Sequence, residues 1–355
     1  MSLPVLQAAD QHVGRLGQMD VIVKSLLEAR LLESIPWKSR LRTLVIGSKT
    51  SRFRKLAMMR SLSVLRLVNP DIFATLHVTN SSQARSMARV VGARINVVTG
   101  DIGTQNDRYS ITPLPGEHKT IFYARFLTAA GLDVDLKKLS FPRFASNVSA
   151  GRLEDRKHNF EKAPRILLAP AVGDPNEQHK RWPSYKFSRL AEEICHICPE
   201  MRLELVGAPH ERSLLEEVFA GIDISLCARV DIRTEPTPMQ AAAAMIGASC
   251  IVTACSGASH LAAWADIPIV GLYGPTNPCF TGPFSNKLYV VRKGWRCSPC
   301  YRSDFTSGCA NPICMQAISV GEVVEMLRSA LAGRAPSPLP ILTNTMATSP
   351  DPSVI

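Results

Sequence analysis

Two groups of residues in this chain have types and spacings suited to chemistry. Cys297, Cys300, Cys309 and Cys314 form C-x2-C-x8-C-x4-C, with Pro299 and Gly308 between them. Four thiolates so closely spaced can close a tetrahedral site for zinc or iron. Two disulfides are the alternative, and a reducing compartment disfavours them. Such a metal is structural, because four protein thiolates leave no position for water. The second group is Ala254-Cys255-Ser256-Gly257-Ala258-Ser259-His260. Small residues at a helix start let a ligand approach the free backbone N–H groups, which suits a phosphate.

These residues need elements to position them. Ile251-Val252-Thr253 is an apolar, β-branched run that reads as a buried strand. Leu261, Ala262, Ala263 and Trp264 continue the small-residue turn as a helix, residues 267–273 are the next strand, and Gly274-Pro275-Thr276-Asn277-Pro278 is a tight loop. In parallel α/β sheets such turns lie at the carboxyl ends of strands, where ligands bind. The same alternation extends over the chain. Strands are expected at 43–46, 73–78, 95–98, 165–168, 203–206 and 288–291, and helices at 51–66, 81–91, 117–131, 211–219, 236–246 and 320–331. Val21, Ile22, Leu26, Leu27, Leu31 and Leu32 recur at helical spacing, so residues 1–40 read as mostly helical, with Asp20 at a loop–helix junction.

The run SGASHLAA at 256–263, followed by IPIVGLYGPTNP at 267–278, resembles the donor-binding signature of glycosyltransferase family 9, the bacterial heptosyltransferases. Ser-Gly, the histidine three residues on, and the Gly-Pro-Thr loop fall at the family's spacing. The family's acidic residue before Ser-Gly is Cys255 here. Lys180-Arg181-Trp182-Pro183 and Gly207 with Glu211 also match the family's pattern. The resemblance implies that Lys180 neutralises a diphosphate as a point charge, that Glu211 accepts hydrogen bonds from a ribose, and that Ser256, Gly257 and His260 meet the phosphates. It implies that Asp20 is the catalytic base, although the family has Gly where Met19 stands. Each residue also has a plainer reading. Asp20 is a helix cap or first-turn carboxylate, Glu211 favours the start of helix 211–219, and Lys180 is a solvated lysine. Some members, the autotransporter heptosyltransferases among them, carry a four-cysteine finger that binds iron, and 297–314 is similar to it.

The fold that the resemblance implies is GT-B, an α/β architecture of two facing Rossmann-like domains with parallel sheets. Residues 1–145 would be the acceptor domain, 146–162 a linker, 163–332 the nucleotide-sugar domain with the finger at 297–314, and 333–355 a disordered tail. The implied activity is inverting transfer of a sugar from a nucleotide-diphosphate donor, most typically ADP-heptose. The acceptor would be a glycolipid, the lipopolysaccharide core or a protein. No catalytic metal is expected where Lys180 and the turn at 256–260 supply the positive field. Two other classes stay open. A catalytically silent GT-B-like binding or scaffold protein would account for Cys255 and the weak Asp20 match. A nucleic-acid binder would use the finger with Arg292, Lys293, Arg296, Tyr301 and Arg302.

Composition sets bounds on these readings. The 355 residues suffice for two domains with their own cores. A net charge of +11 favours anionic partners: a nucleotide sugar, an acidic glycolipid at a membrane surface, or nucleic acid. No apolar run reaches the roughly 20 residues that span a bilayer, and MSLPVLQAADQH lacks the regions of a signal peptide. A cytoplasmic protein is therefore expected, with peripheral contact at the inner face of the membrane through the basic helix bearing Arg52, Arg54, Lys55, Arg60 and Arg66. Ten cysteines in such a chain favour metal ligation or free thiols, and Cys195 and Cys198 read as the latter.

Overall fold

The described residues of the computed structural model form three parallel sheets with helices between them. It describes residues 3–14, 17–23, 32–33, 35, 37–45, 54–74, 81–93, 95–99, 109–111, 114, 117–129, 131–132, 134–135, 139, 164–173, 175–300 and 309–337. The expected linker at 146–162, the tail from 338 and residues 301–308 of the finger lie outside the described residues.

The amino-terminal half runs α1 (Leu3–Val13), β1 (Gln18–Val23), β2 (Arg40–Val45), α2 (Arg54–Val68), β3 (Ile72–Ala74), α3 (Ser81–Val91), β4 (Ile95–Thr99), β5 (Tyr109–Ile111) and α4 (Lys119–Ala129). β1 pairs parallel with β2, and β3, β4 and β5 form a second parallel sheet. The helix expected around Asp20 is a strand. Val21-Ile22-Val23 is a β-branched run that suits a pleated surface, and Met19, on the opposite face from Asp20, packs in a cluster with Phe122 and Phe126 of α4.

The carboxyl-terminal half runs β6 (Arg165–Ala169), α5 (Ser184–Ile197), β7 (Arg202–Gly207), α6 (Arg212–Ala220), β8 (Val230–Thr234), α7 (Pro238–Met245), β9 (Cys250–Ala254), α8 (Gly257–Trp264), β10 (Ile269–Tyr273), α9 (Pro278–Thr281), β11 (Leu288–Arg292), α10 (Ile313–Gln316) and α11 (Val320–Leu331). Its six strands are all parallel, in the order β11-β10-β9-β6-β7-β8. β9 and β10 are buried at every residue, which explains their unbroken apolar runs. Phe187, Leu190, Ala191 and Ile194 bury one stripe of α5 against one face of this sheet. Ala262 and Ala263 of α8 pack on the other face with Ile251 and Ile269. Small side chains there bring α8 close to the strands.

Contacts between the two halves among the described residues include the following. Ile35, with Leu3 and Trp37 beside it, packs against Met239, Ala242 and Trp264 of α7 and α8. His118, just before α4, places its ring Nε2 2.9 Å from the Gly282 carbonyl after α9. The α/β, parallel-sheet, GT-B expectation is met.

Candidate functional site

The strand order fixes where a ligand can enter. From β6 the chain moves outward through β7 to β8, then returns to β9 on the other side of β6 and moves out through β10 to β11. The loops after β6 and β9 therefore leave in opposite directions, which opens a crevice at the carboxyl ends of those two strands. Lys180 lies in the segment after β6, and Ser256, Gly257 and His260 follow β9.

Ser256 has extended backbone (φ −144°, ψ 176°), and its side chain makes no capping bond to α8. Its hydroxyl instead lies 3.2 Å from Thr253 Oγ1. The first N–H groups of α8 are left without that cap, at the positive end of the helix dipole. Gly257 is exposed, and a Cβ there would meet nothing within 4 Å. A phosphate has room to approach.

Lys180 is buried, 5% exposed, at the end of a 3-10 turn, Pro175–Lys180. Its Nζ is 2.8 Å from Glu177 Oε1. Trp182 holds this segment against the core: it is 1% exposed, its indole N–H donates to the Ile318 carbonyl at 3.0 Å, and it meets Phe187 edge-on. Lys180 is therefore not the solvated lysine of the plainer reading. His260 has its pKa pushed well below the ordinary histidine value. Burial is the main cause, and the positive charges of Lys119 and Lys180 act in the same direction. The shift favours the uncharged ring, which can donate one N–H.

His118 and Lys119 are site residues that sequence reasoning did not single out. Lys119 stands 5.1 Å above the Phe280 ring centroid. Its pKa is lowered, first by burial and then by Lys180, while Cys255 and Glu177 raise it. Residues from both halves thus converge on the start of α8. The available signal was a histidine and a lysine opening a helix that carries few other charges. Cys255 is buried, with its sulfur 3.4 Å from Thr281 Oγ1. In the loop after β10, the Thr276 hydroxyl is 1% exposed and has no hydrogen-bond partner among the described residues.

Glu211 ends the turn Pro209–Glu211 after β7. Its Oε2 accepts from the Ala208 N–H at 2.8 Å, so the carboxylate closes its own loop. Its Oε1 faces Gly173, 3.9 Å from where a Cβ would stand on that residue.

Asp20 is not at a loop–helix junction. It sits inside β1, opposite Arg42 of β2. Arg42 Nε and a terminal guanidinium nitrogen donate to its two oxygens at 2.8 and 2.5 Å, and Gln18 Nε2 donates at 2.7 Å. Both oxygens are engaged within the β1–β2 pair.

The expected four-cysteine finger is not shown, and its residues 301–308 lie outside the described residues. Among the described residues no group of three or more His, Cys, Asp or Glu is set to hold a metal ion. Cys297 and Cys309 are exposed, Cys300 is half-buried and Cys314 is buried. The thiols nevertheless lie within electrostatic reach of one another. Burial raises the Cys300 pKa, with Cys309 and Cys297 adding, and burial raises that of Cys314, with Cys300 and Cys297 adding. As a donor set, four thiols suit zinc or iron. Cys314 also packs under the loop after β10, where a Cβ on Gly274 would come within 2.7 Å of its sulfur.

Comparison with known proteins gives concordant results. The family model described as Glycosyltransferase family 9 (heptosyltransferase) matches residues 110–310. Lipopolysaccharide heptosyltransferase 2 of Salmonella typhimurium is 35% identical over 129 residues, 36% of each chain. Lipopolysaccharide heptosyltransferase 1 of Pseudomonas aeruginosa is 33% identical over 127 residues, 36% of this chain and 34% of that one. The chain spans about a third of the length of these curated relatives. Among solved structures, a glycosyl transferase family 9 protein from Veillonella parvula superposes with a TM-score of 0.68 at 18% identity, covering 94% of this chain and 93% of that one. E. coli ADP-heptose lps heptosyltransferase II gives 0.63 at 19% identity, covering 93% and 95%. At those identities the structural likeness speaks for the fold alone.

Proposed function

Because the chain belongs to glycosyltransferase family 9, the heptosyltransferase family, we propose that it transfers a sugar, a heptose, from a nucleotide-diphosphate donor, ADP-heptose, with inversion. The acceptor in this reading is a glycolipid such as the lipopolysaccharide core, or a protein. The observation that carries it is the joint placement of Lys180, His260 and the start of α8 at the crevice between β6 and β9. The names of the curated relatives, lipopolysaccharide heptosyltransferases 1 and 2, support the choice of a heptose and of a glycolipid acceptor.

In this reading residues 163–332 hold the donor and residues 1–145 present the acceptor. The acceptor hydroxyl oxygen attacks the anomeric carbon as the bond from that carbon to the diphosphate oxygen breaks. The electron pair leaves with the nucleoside diphosphate, and the hydroxyl proton passes to a general base. Lys180, the α8 N–H groups and the neutral His260 ring offset the charge growing on the leaving group. Glu211, through Oε1, takes the ribose. The proposed base is Asp20, and its place makes a demand: its carboxylate must leave Arg42 before it can take a proton. That pair, together with Cys255, favours a second reading, a relative that binds nucleotide sugars without transferring them.

Cys297, Cys300, Cys309 and Cys314 would hold a structural zinc or iron, which stabilises the loop after β10; no catalytic metal is part of the proposal. No described helix is long and apolar enough to cross a membrane. Peripheral contact at the inner membrane face, from the cytoplasm, is proposed for α2, which exposes Leu56, Met59, Arg60 and Arg66. Nucleic acid is not a proposed partner. The test is a melting panel with ADP, UDP, GDP and their sugars, followed by turnover of ADP-heptose. A ligand of the native state raises the melting temperature by mass action. Failure of every nucleoside diphosphate to do so would remove the reading.

A further inference from the structure

We propose that His118 is a positioning residue, a latch whose uncharged ring ties the start of α4 to the segment after α9 and lets go when protonated. The geometry gives each ring nitrogen a task. A carbonyl can only accept, so the 2.9 Å contact between Nε2 and the Gly282 carbonyl requires the proton on Nε2. A backbone N–H can only donate, so Nδ1, 3.1 Å from the Thr120 nitrogen, must offer its lone pair. Only the neutral ring with its proton on Nε2 satisfies both partners. His118 is 2% exposed, and its ring centroid lies 5.9 Å from that of Phe284, which keeps water from taking the place of either partner.

Both ends of the latch are themselves held. His118 caps α4: its carbonyl accepts from the Phe122 N–H at 2.9 Å, and its ring accepts from Thr120 in the first turn. On the other side Gly282 closes α9. Its N–H donates to the Pro278 carbonyl at 2.9 Å, and a Cβ there would come within 2.5 Å of that same oxygen. The Asn277 side chain fixes the start of α9 by accepting from the Cys279 N–H at 3.0 Å. The Gly282 carbonyl therefore stands at the end of a short, tied unit that continues directly from the loop after β10.

A second proton on the ring undoes this. It would set an N–H against the Thr120 N–H and put a positive charge at the positive end of the α4 dipole. The titratable neighbours do not welcome it. Glu117 is already engaged by Arg125 and the Leu114 N–H, Lys119 is a cation, residues 278–284 contribute only Cys279, and α8 contributes His260. Burial, the largest influence, lowers the His118 pKa; the Gly282 bond opposes it, and the amino-terminal charge and Lys119 add to it. The latched state thus holds the ring neutral, whereas a released ring in water has the ordinary value of about 6.5. Latching is fully present above that value and is lost as pH falls below it. The apolar contact of Ile35 with Met239, Ala242 and Trp264 carries no titratable side chain and stays in place, so release opens the cleft about that side. Closing the cleft over a sugar donor is a use of the latch that rests on the nucleotide-sugar reading; the latch itself does not.

The experiment is small-angle X-ray scattering of the full chain, without added ligand, from pH 7.5 to 5.5, on the unmodified protein and on His118→Asn. Asparagine caps a helix well, does not titrate, and ends one bond short of Gly282. The unmodified protein should expand as pH falls through about 6.5, with the ratio of open to latched chains rising by about 10-fold by pH 5.5. His118→Asn should show the expanded profile at both pH values. Phe284→Ala, which loosens the same latch from the other half, should expand at a higher pH than the unmodified protein and carries the test should His118→Asn not fold. A His118→Asn protein as compact as the unmodified one at pH 7.5, no expansion of the unmodified protein, or an expansion that the variant shares in full overturns the latch. No nucleotide enters the measurement, so these outcomes leave the nucleotide-sugar reading standing.

Discussion

If His260 is an uncharged donor at the phosphate site, the stability of the protein must depend on pH in a particular way. The perturbation is acidification from pH 7.5 to 5.5. In the folded chain the His260 pKa is held well below the ordinary value by burial, with Lys119 and Lys180 adding to the effect. In the unfolded chain it returns to about 6.5. The unfolded state therefore binds the extra proton first, so the contribution is fully present above about pH 6.5 and is lost as pH falls toward the folded value. The most this residue can lose over the interval is about 1.4 kcal/mol, the cost reached only when the folded ring takes up no proton at all. Urea unfolding of the unmodified protein and of His260→Gln at both pH values isolates it, because the other titrating groups are common to both. The unmodified protein should lose about 1 kcal/mol more than the variant over this interval. Equal losses would show that His260 takes up its proton while folded, and it would then meet the diphosphate as a cation.

Two further outcomes bear on groups whose roles are still proposals. Asp20→Asn should lower turnover by about 10²-fold or more, the scale of general-base catalysis, while donor binding stays intact; full turnover in the variant would leave Asp20 to its pair with Arg42 and the base to another group. Purified protein should carry about one zinc or iron per chain, and Cys297→Ser should lose both the metal and melting temperature; metal-free protein with normal melting in the unmodified chain would dismiss the four-cysteine site.

Much of the carboxyl-terminal half was legible because its strands are buried on both faces. Runs such as Ile251-Val252-Thr253 and the one from 269 to 273 have no other stable place, and the small residues after Ala254 mark where the backbone must stay open. The carboxyl-terminal α11 was legible too, as an amphipathic run that buries Val323, Leu327 and Ala330. The amino-terminal half was less legible. The leucines beyond Val23 keep helical spacing, but Val21-Ile22-Val23 had its pairing decided by β2, a partner well away in sequence. Spacing within one segment does not report such a partner. The site shows the same division. Lys180, Ser256, Gly257 and His260 lie near turns with a local signature, whereas His118 and Lys119 reach the cleft only because the two halves close on each other. Cys297 to Cys314 have a clear spacing, yet spacing alone does not fix four side chains at one point.

The central claim is that the crevice between β6 and β9 holds the diphosphate of a nucleotide sugar, with Lys180 as its main cation. Calorimetric titration of ADP into the unmodified protein and into Lys180→Ala tests it most directly. The account predicts measurable binding to the unmodified chain and a loss of about 1–3 kcal/mol in the variant, the cost of one charged hydrogen bond. Equal affinity in the two proteins, with both folded, would contradict it.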